Sequence, residues 1–499
     1  MMFRHTLAPK KRQYDIWVCI GLFVMAIALR AWHIGDTDIG SDECFSLYYS
    51  QFSIGEIIRI LCQGDNPPLW EILLHGWTGI FGIEVVPMRV LSMLFNVLTI
   101  IPLFLLGKHL SGSILGIVTA ALFSLSTFSV FLSHEGRVYC LVGMLAAWSA
   151  LLFLQLIEKP DKAKWVAWVI VNVLIIYGHY MAIWVVVMQT TLWIAVTPIR
   201  KRLGLNMLYA LLVLALLYLP IVPTLFWRFS ESGMHGTWVS RCHGLEDLYS
   251  MICCFTNAPV TAVLAITLMV AALIKFLVRI IKKKFIIGPL MIVTLMWVVP
   301  LLVSFGLSFI VGFFLNRYFY FLMPIYLLSL SAYVQYLFPK QKVPSAALTV
   351  LLVVAMAASL KPDSSKLRYA GWKGDVSAVV QRMKTIKEEN DALVIINPEW
   401  IDKQLAYYID DNHETFRTQG SLSDPAFCCY FIKHGYIYEH LLGETYLHDN
   451  PTIVIVHNNY QDISPIIQCL DTQGYQQSRT EVFLQMSLTL YAKVSTPII

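Results

Sequence analysis

Asp42 and Glu43 stand side by side, and the same polar stretch runs on to Asp65-Asn66-Pro67-Pro68. Carboxylates flanked by long apolar segments are costly unless they are used. Functional carboxylates cluster in this way at cavity mouths. Three further polar clusters interrupt the apolar sequence: His134-Glu135-Gly136-Arg137-Val138-Tyr139, Tyr177-Gly178-His179-Tyr180 and Asn316-Arg317-Tyr318. An arginine is always charged and can bond two oxygens of one phosphate, so Arg137 and Arg317 are natural partners for an anionic lipid phosphate. The bland readings are a solvated acidic pair and arginines that snorkel to lipid headgroups. If all these groups fall on one side of a membrane, their clustering favours a site.

The elements that must position them are membrane spans. Of 499 residues, 57% are hydrophobic and only 14% charged, which excludes a water-soluble globule. Apolar runs of spanning length lie at about 16–32, 86–107, 113–132, 138–157, 165–180, 181–198, 205–226, 258–280, 286–310, 318–338 and 343–360, so the sequence predicts about eleven transmembrane helices. Lysines and arginines collect on one side of this list: Lys10 to Arg12, Lys108, Lys159 to Lys164, Arg200 to Arg202, Lys275 to Lys284, Lys340 and Lys342. The opposite ends hold scattered arginines and no lysine. By the positive-inside rule the N-terminus is cytoplasmic, the clusters above face outwards, and everything after Leu360 lies outside as well. The first apolar run reads as a retained anchor.

The formal charge of +5 follows from these inner loops and calls for no nucleic-acid partner. The ten cysteines show neither a disulfide framework nor zinc spacing.

Two regions lie outside the membrane. In the outer loop 33–87, Ser53-Ile54-Gly55-Glu56 is a capping box opening a short amphipathic helix, and a second helix follows Asn66 with Trp70, Leu73, Leu74 and Trp77 on one face. From residue 361 the charge rises and spanning runs stop. A helix over 375–390, strands over 393–396, 452–456, 480–484 and 487–492, and a helix over 463–470 make 361–499 an α/β domain, and 1–360 the transmembrane domain. No glycine-rich phosphate loop opens its helices.

The order of Asp-Glu after the first span, Asn-Pro-Pro-Leu downstream, Phe81-Gly82 leading to Arg89, then Glu135-x-Arg137-x-Tyr139 resembles the GT-C glycosyltransferases. Within them it is most similar to family-39 protein mannosyltransferases and the related lipid A aminoarabinose transferases. Tyr369-Ala370-Gly371-Trp372-Lys373 is similar to the segment that opens the soluble domain of bacterial members. Asn66 departs from the pattern, since many relatives have His there.

The resemblance implies a polytopic α-helical GT-C-like membrane protein with an extracytoplasmic C-terminal α/β domain, in a bacterial inner membrane. Its reaction is transfer of a sugar from a polyprenyl-phosphate donor to a protein, lipid or glycan acceptor. By carry-over Asp42 is the general base and Glu43 orients it; Arg137, Arg317 and Arg89 meet the donor phosphate; Asp65, Asn66, Glu135, Tyr139 and His179 line the substrate. No cofactor is required, although a divalent metal is compatible with Asp42, Glu43, Glu135 and His179. Two alternatives stay open. One is a ligase or polymerase using diphosphate donors through Arg228, His235, Arg241 and His243; the other is a lipid or sugar transporter.

The topology has a direct test. Cysteines introduced near Lys283 are expected to label only from the cytoplasmic side and cysteines near Asp391 only from outside. Labelling of both from one side contradicts an odd number of spans.

Overall fold

Every expected apolar run is helical, because in hydrocarbon a backbone must satisfy its own polar groups. The computed structural model describes residues 12–63, 66–235, 237, 239–282, 287–363, 375–420, 422, 429–431, 450–460 and 462–494. The helices are α1 (Arg12–Ala31), α2 (Ser41–Tyr49), α3 (Ile54–Leu61), α4 (Leu69–Phe81), α5 (Val85–Leu98), α6 (Ile100–Ser111), α7 (Ser113–Ser124), α8 (Thr127–Ser133), α9 (Tyr139–Glu158), α10 (Lys162–Gly178), α11 (Ile183–Ala195), α12 (Thr197–Tyr218), α13 (Val222–His235), α14 (Leu245–Phe255), α15 (Pro259–Ile281), α16 (Pro289–Leu307), α17 (Met323–Leu337) and α18 (Lys342–Ala358). The tail adds α19 (Val376–Asn390), α20 (Asp402–Tyr408), α21 (Glu414–Thr418) and α22 (Ser464–Thr472), with strands β1 (Leu393–Asn397), β2 (Cys429–Phe431), β3 (Thr452–Asn458), β4 (Tyr475–Val482) and β5 (Met486–Lys493).

Among the described residues six helices are long and apolar enough to cross a membrane, and the bent pair α7 and α8 makes a seventh. Two shorter apolar helices, Tyr180–Ala195 and Lys342–Ala358, lie below that length. The remaining expected spans, α1 and α10, are in neither group. Among the described residues the expected count of eleven is not confirmed.

The chain divides into two compact units: Met1–His33, Ile54–Leu73 and Met88–Ser364 form one, and Ile34–Ser53, Leu74–Pro87 and Ser365–Ile499 the other. The first unit turns on a buried arginine. The run 113–132 is not one straight span but breaks by 61° between α7 and α8. Ser126 starts α8 by accepting the Ser129 N–H at 3.2 Å. The Phe123 and Ser124 carbonyls at the end of α7 accept from the Arg30 guanidinium at 3.2 Å each, and the Phe123 carbonyl also accepts the Ser126 N–H at 3.2 Å. Arg30 is fully buried. Its Nε donates to Asn96 Oδ1 at 2.5 Å and its Nη2 to Ser129 Oγ at 2.9 Å. Asn96 in turn donates to the Ser129 carbonyl at 3.1 Å and to the Tyr320 hydroxyl at 2.9 Å. A charge buried in an apolar bundle demands this degree of satisfaction.

In the second unit the sheet has the order β2-β1-β3-β5-β4. β1 is parallel to β2 and β3, while β5 is antiparallel to β3 and β4. Val394, Ile396, Val454, Val456 and Leu488 pack on one face against α19 and α20, and Leu393, Ile395, Ile453, Ile455 and Tyr491 on the other against α22. The strand expected at 480–484 is instead β4, Tyr475–Val482. It is a polar edge strand with only Tyr475 buried, so it lacks the apolar alternation that marks a strand in sequence. The segment 369–373 lies outside the described residues.

Parts of the outer loop belong to this second unit. Asp38 Oδ2 accepts from the Ser377 N–H at 2.7 Å and its hydroxyl at 2.9 Å, satisfying free donors in the first turn of α19. The Tyr407 hydroxyl donates to the Ile83 carbonyl at 3.1 Å. The buried face of α4 is Trp70, Glu71, Leu74 and Thr78 rather than the expected one, since Leu73 is exposed.

One carboxylate of this unit has a measurable consequence. Asp402 accepts the Leu422 N–H at 2.8 Å and is buried. Burial lifts its carboxyl to about 6, although that hydrogen bond and Lys403 pull the other way. The folded protein thus keeps a proton that the unfolded chain releases near 3.8, so this group makes the protein more stable as pH falls from 7 through 6 towards 4. Asp402→Asn keeps an acceptor for Leu422 without the buried charge. It is expected to raise stability at pH 7.5, by up to about 3 kcal/mol, with the gain shrinking towards pH 4. Equal gains at pH 7.5 and 4 in thermal unfolding contradict this account.

Candidate active site

The first unit gathers most of the expected polar groups at the ends of its helices. The motif 134–139 forms the tight turn between α8 and α9, in which the Arg137 N–H bonds the Glu135 carbonyl at 2.7 Å. The turn is pinned on three sides. Trp70 Nε1 donates to the Gly136 carbonyl at 2.9 Å, Ser92 Oγ donates to the Arg137 carbonyl at 3.1 Å, and the His134 ring bonds the Arg30 carbonyl at 2.7 Å. Gly136 is needed for close approach, because a Cβ there would stand 2.6 Å from the Met88 side chain.

Arg137 is 6% exposed and lies 3.7 Å from Glu71, which is 1% exposed. Sequence reasoning missed Glu71. The available signal was a single carboxylate in the first turn of an otherwise apolar helix.

His179 caps the end of α10, and its Nδ1 accepts the Met181 N–H at 3.3 Å. Its ring packs against Tyr139 at 5.7 Å and Tyr318 at 5.3 Å between centroids. The charges of Arg137 and Arg317 both reach this ring. Arg317 sits in the 3-10 segment Asn316–Leu322 that leads into α17, with its guanidinium 5.9 Å from the Tyr318 ring centroid. The structure therefore brings together Arg137, Glu71, Tyr139, His179, Arg317 and Tyr318. Buried Arg137 and half-buried Arg317 beside a histidine and two tyrosines suit a phosphate-bearing headgroup.

The other expected residues stand as follows. Glu135 and Arg89 are buried, and Asn66 is half-buried just before α4. Asp65 lies outside the described residues. Asp42 and Glu43 belong to the second unit, in the first turn of α2. Asp42 is half-buried. Glu43 is 1% exposed and accepts the Gly40 N–H at 2.8 Å, so its carboxylate caps its own helix. Of the residues behind the diphosphate-donor alternative, Arg241 and His243 are exposed, and the side chains of Arg228 and His235 are outside the described set. Among the described residues no group of three or more His, Cys, Asp or Glu could hold a metal ion.

A family profile described as dolichyl-phosphate-mannose-protein mannosyltransferase matches residues 65–227, which include the 134–139 turn and His179. No curated protein matches the chain as a sequence. As a structure the chain is similar to ArnT from Cupriavidus metallidurans in the apo state, with a TM-score of 0.59 at 10% identity over 96% of this chain and 98% of that one. ArnT from the same organism bound to undecaprenyl phosphate aligns with a TM-score of 0.55 at 11% identity, over 97% and 98% of the two chains. The archaeal oligosaccharyltransferase AglB from Archaeoglobus fulgidus, in complex with an inhibitory peptide and a dolichol-phosphate, aligns with a TM-score of 0.57 at 11% identity, over 90% and 70%. At these identities the structures speak for the fold. Together with the profile they bear out the resemblance: the chain is a membrane glycosyltransferase of GT-C fold.

The buried ion pair gives a test of the site geometry. Glu71→Gln and Arg137→Gln each leave one partner buried without its counter-charge, a loss on the order of 3–5 kcal/mol. The double substitution is expected to cost less than the sum of the two, by about 1–3 kcal/mol in thermal unfolding. Strict additivity would show that the 3.7 Å approach carries no ion pair.

Proposed function

We propose that the protein transfers a sugar from a polyprenyl-phosphate donor to an acceptor hydroxyl at the outer face of a bacterial inner membrane, with inversion at the anomeric carbon. The reading is carried by the gathering of Tyr139, His179 and Tyr318, with Arg317 beside Tyr318 and Arg137 two residues before Tyr139, in a membrane unit of GT-C fold. Structures of that fold solved with undecaprenyl phosphate and with dolichol-phosphate support the same donor class here.

In the proposed reaction the acceptor oxygen attacks the anomeric carbon while the bond from that carbon to the phosphate oxygen breaks. The sugar passes through an oxocarbenium-like state, and the lipid phosphate leaves with the bonding electron pair. Its growing charge is met by Arg137 and Arg317, with Arg89 supporting them, and needs no proton. The acceptor's proton goes to Asp42. Glu43, bonded to Gly40, holds the first turn of α2 and acts by orienting Asp42. Glu135, Tyr139, His179, Asp65 and Asn66 line the donor and acceptor. An AglB structure from Archaeoglobus fulgidus was solved with zinc. No step of this scheme is routed through a metal, and assays with and without a chelator report whether one contributes. In this orientation the N-terminus is cytoplasmic and the tail extracytoplasmic.

Asp42→Asn preserves shape and removes basicity, so transfer is expected to fall by about two orders of magnitude or more. Binding of the donor lipid should persist, because its arginines are untouched. Arg137→Lys keeps one charge but loses the paired hydrogen bonds, and is expected to weaken donor binding instead. Purified protein given a polyprenyl-phosphate sugar reads both effects. Near-normal transfer by correctly inserted Asp42→Asn removes the base assignment. Movement of intact lipid without bond cleavage would identify a transporter.

A further inference from the structure

Ile39 stands one residue before the Gly40 N-cap of α2 and three before Asp42. Both of its backbone groups are held by α20. Gln404 Nε2 donates to the Ile39 carbonyl at 2.9 Å, and the Ile39 N–H donates to the Tyr408 hydroxyl at 2.9 Å. Gln404 and Tyr408 are four residues apart, so they lie on one face of a helix and reach the same residue together. Ile39 is fully buried and Gln404 is 2% exposed, so water competes little for these bonds. Glu43 then fixes the next N–H, that of Gly40. The backbone leading into the first turn of α2 is thus tied at three successive groups, two of them by side chains that enter the sequence more than 360 residues later.

We infer that the Gln404 and Tyr408 pair is a positioning clamp for Asp42, and that the tail's contribution to the reaction is to hold this carboxylate where it meets the acceptor hydroxyl. The inference rests on the reading of Asp42 as general base. Ordinary packing would hold α2 to the tail through apolar contacts anywhere along its length. Here the hydrogen bonds converge on a single residue at the carboxylate end. General-base transfer is sensitive to placement, and a displacement of about 1 Å can cost on the order of a hundredfold in rate.

Gln404→Met keeps length and loses the donor. Tyr408→Phe deletes one oxygen and folds if the chain folds at all. Both are assayed with a polyprenyl-phosphate sugar, with rates counted per molecule of monodisperse protein. Each is expected to lower kcat by about tenfold while leaving the donor KM and the affinity for undecaprenyl phosphate within about twofold. Introduced into Asp42→Asn, neither should lower the residual rate further, because they act through the carboxylate already removed. A merely structural pair would reduce the yield of folded protein, or would lower the rate by the same factor whether Asp42 is present or replaced. Unchanged kcat in folded Tyr408→Phe and Gln404→Met, or a full tenfold loss persisting in Asp42→Asn, overturns the clamp while leaving the base reading intact. Normal transfer by Asp42→Asn alone overturns the base reading, and the clamp falls with it.

Discussion

The membrane unit depends on how it accommodates one guanidinium. Arg30 is fully buried at the end of an apolar helix, where a charge without partners would be prohibitive. It is met by neutral oxygens: the carbonyls of Phe123 and Ser124, the amide of Asn96 and the hydroxyl of Ser129. Where α7 ends, the Phe123 carbonyl takes the Ser126 N–H as well as the guanidinium, and the Ser124 carbonyl takes the guanidinium in place of the next helical turn. The arginine therefore supports the break. Their consequence is that α8 turns away by 61° and delivers the 134–139 turn, whose His134 bonds back to the Arg30 backbone. The same network reaches Tyr320, three residues beyond Arg317, so one polar knot ties the segments that carry both arginines.

This explains which parts of the fold were legible in the sequence. Span positions follow from the free energy of apolar burial, a local property that length and composition report directly. Each expected run does lie on helix. The break between α7 and α8 is a tertiary effect, since no proline or glycine marks it. Ser126 as an N-cap was a visible but insufficient signal. In the tail, β1 and β3 announced themselves by continuous apolar character and β5 by alternating apolar residues, Leu488 and Leu490 among them. β4 did not, because an exposed edge strand is chosen for polarity, and β2 is only three residues long.

The site divides in the same way. Arg137, Tyr139, His179 and Arg317 were readable because charged or polar groups at the ends of apolar helices need a reason, and in the structure they come together. Glu71 was hidden by its place within an apolar helix, although its proximity to Arg137 decides how that guanidinium is held. Glu43 shows how an adjacent acidic pair divides. The third position of a helix is where a carboxylate reaches back to the capping N–H, and Glu43 does so. Adjacent carboxylates in one first turn thus divide into one tied to the backbone and one, Asp42, placed by it.

The division of the chain into two units bears on how such an enzyme could change acceptors while keeping its donor. The groups suited to a lipid phosphate are all in the membrane unit, where hydrocarbon burial fixes them. The carboxylate suited to the acceptor belongs, with α2, to the unit that contains the tail sheet. Substitutions in the tail can therefore alter the surroundings of Asp42, the proposed base, without changing Arg137 or Arg317. The converse constraint is as strong: residues 34–53 cannot drift independently of the tail, because Asp38 satisfies the first turn of α19 and Ile39 is bonded to α20. Residues 34–53 and the tail belong to one compact unit, and a change in either must be matched in the other for α2 to keep its place.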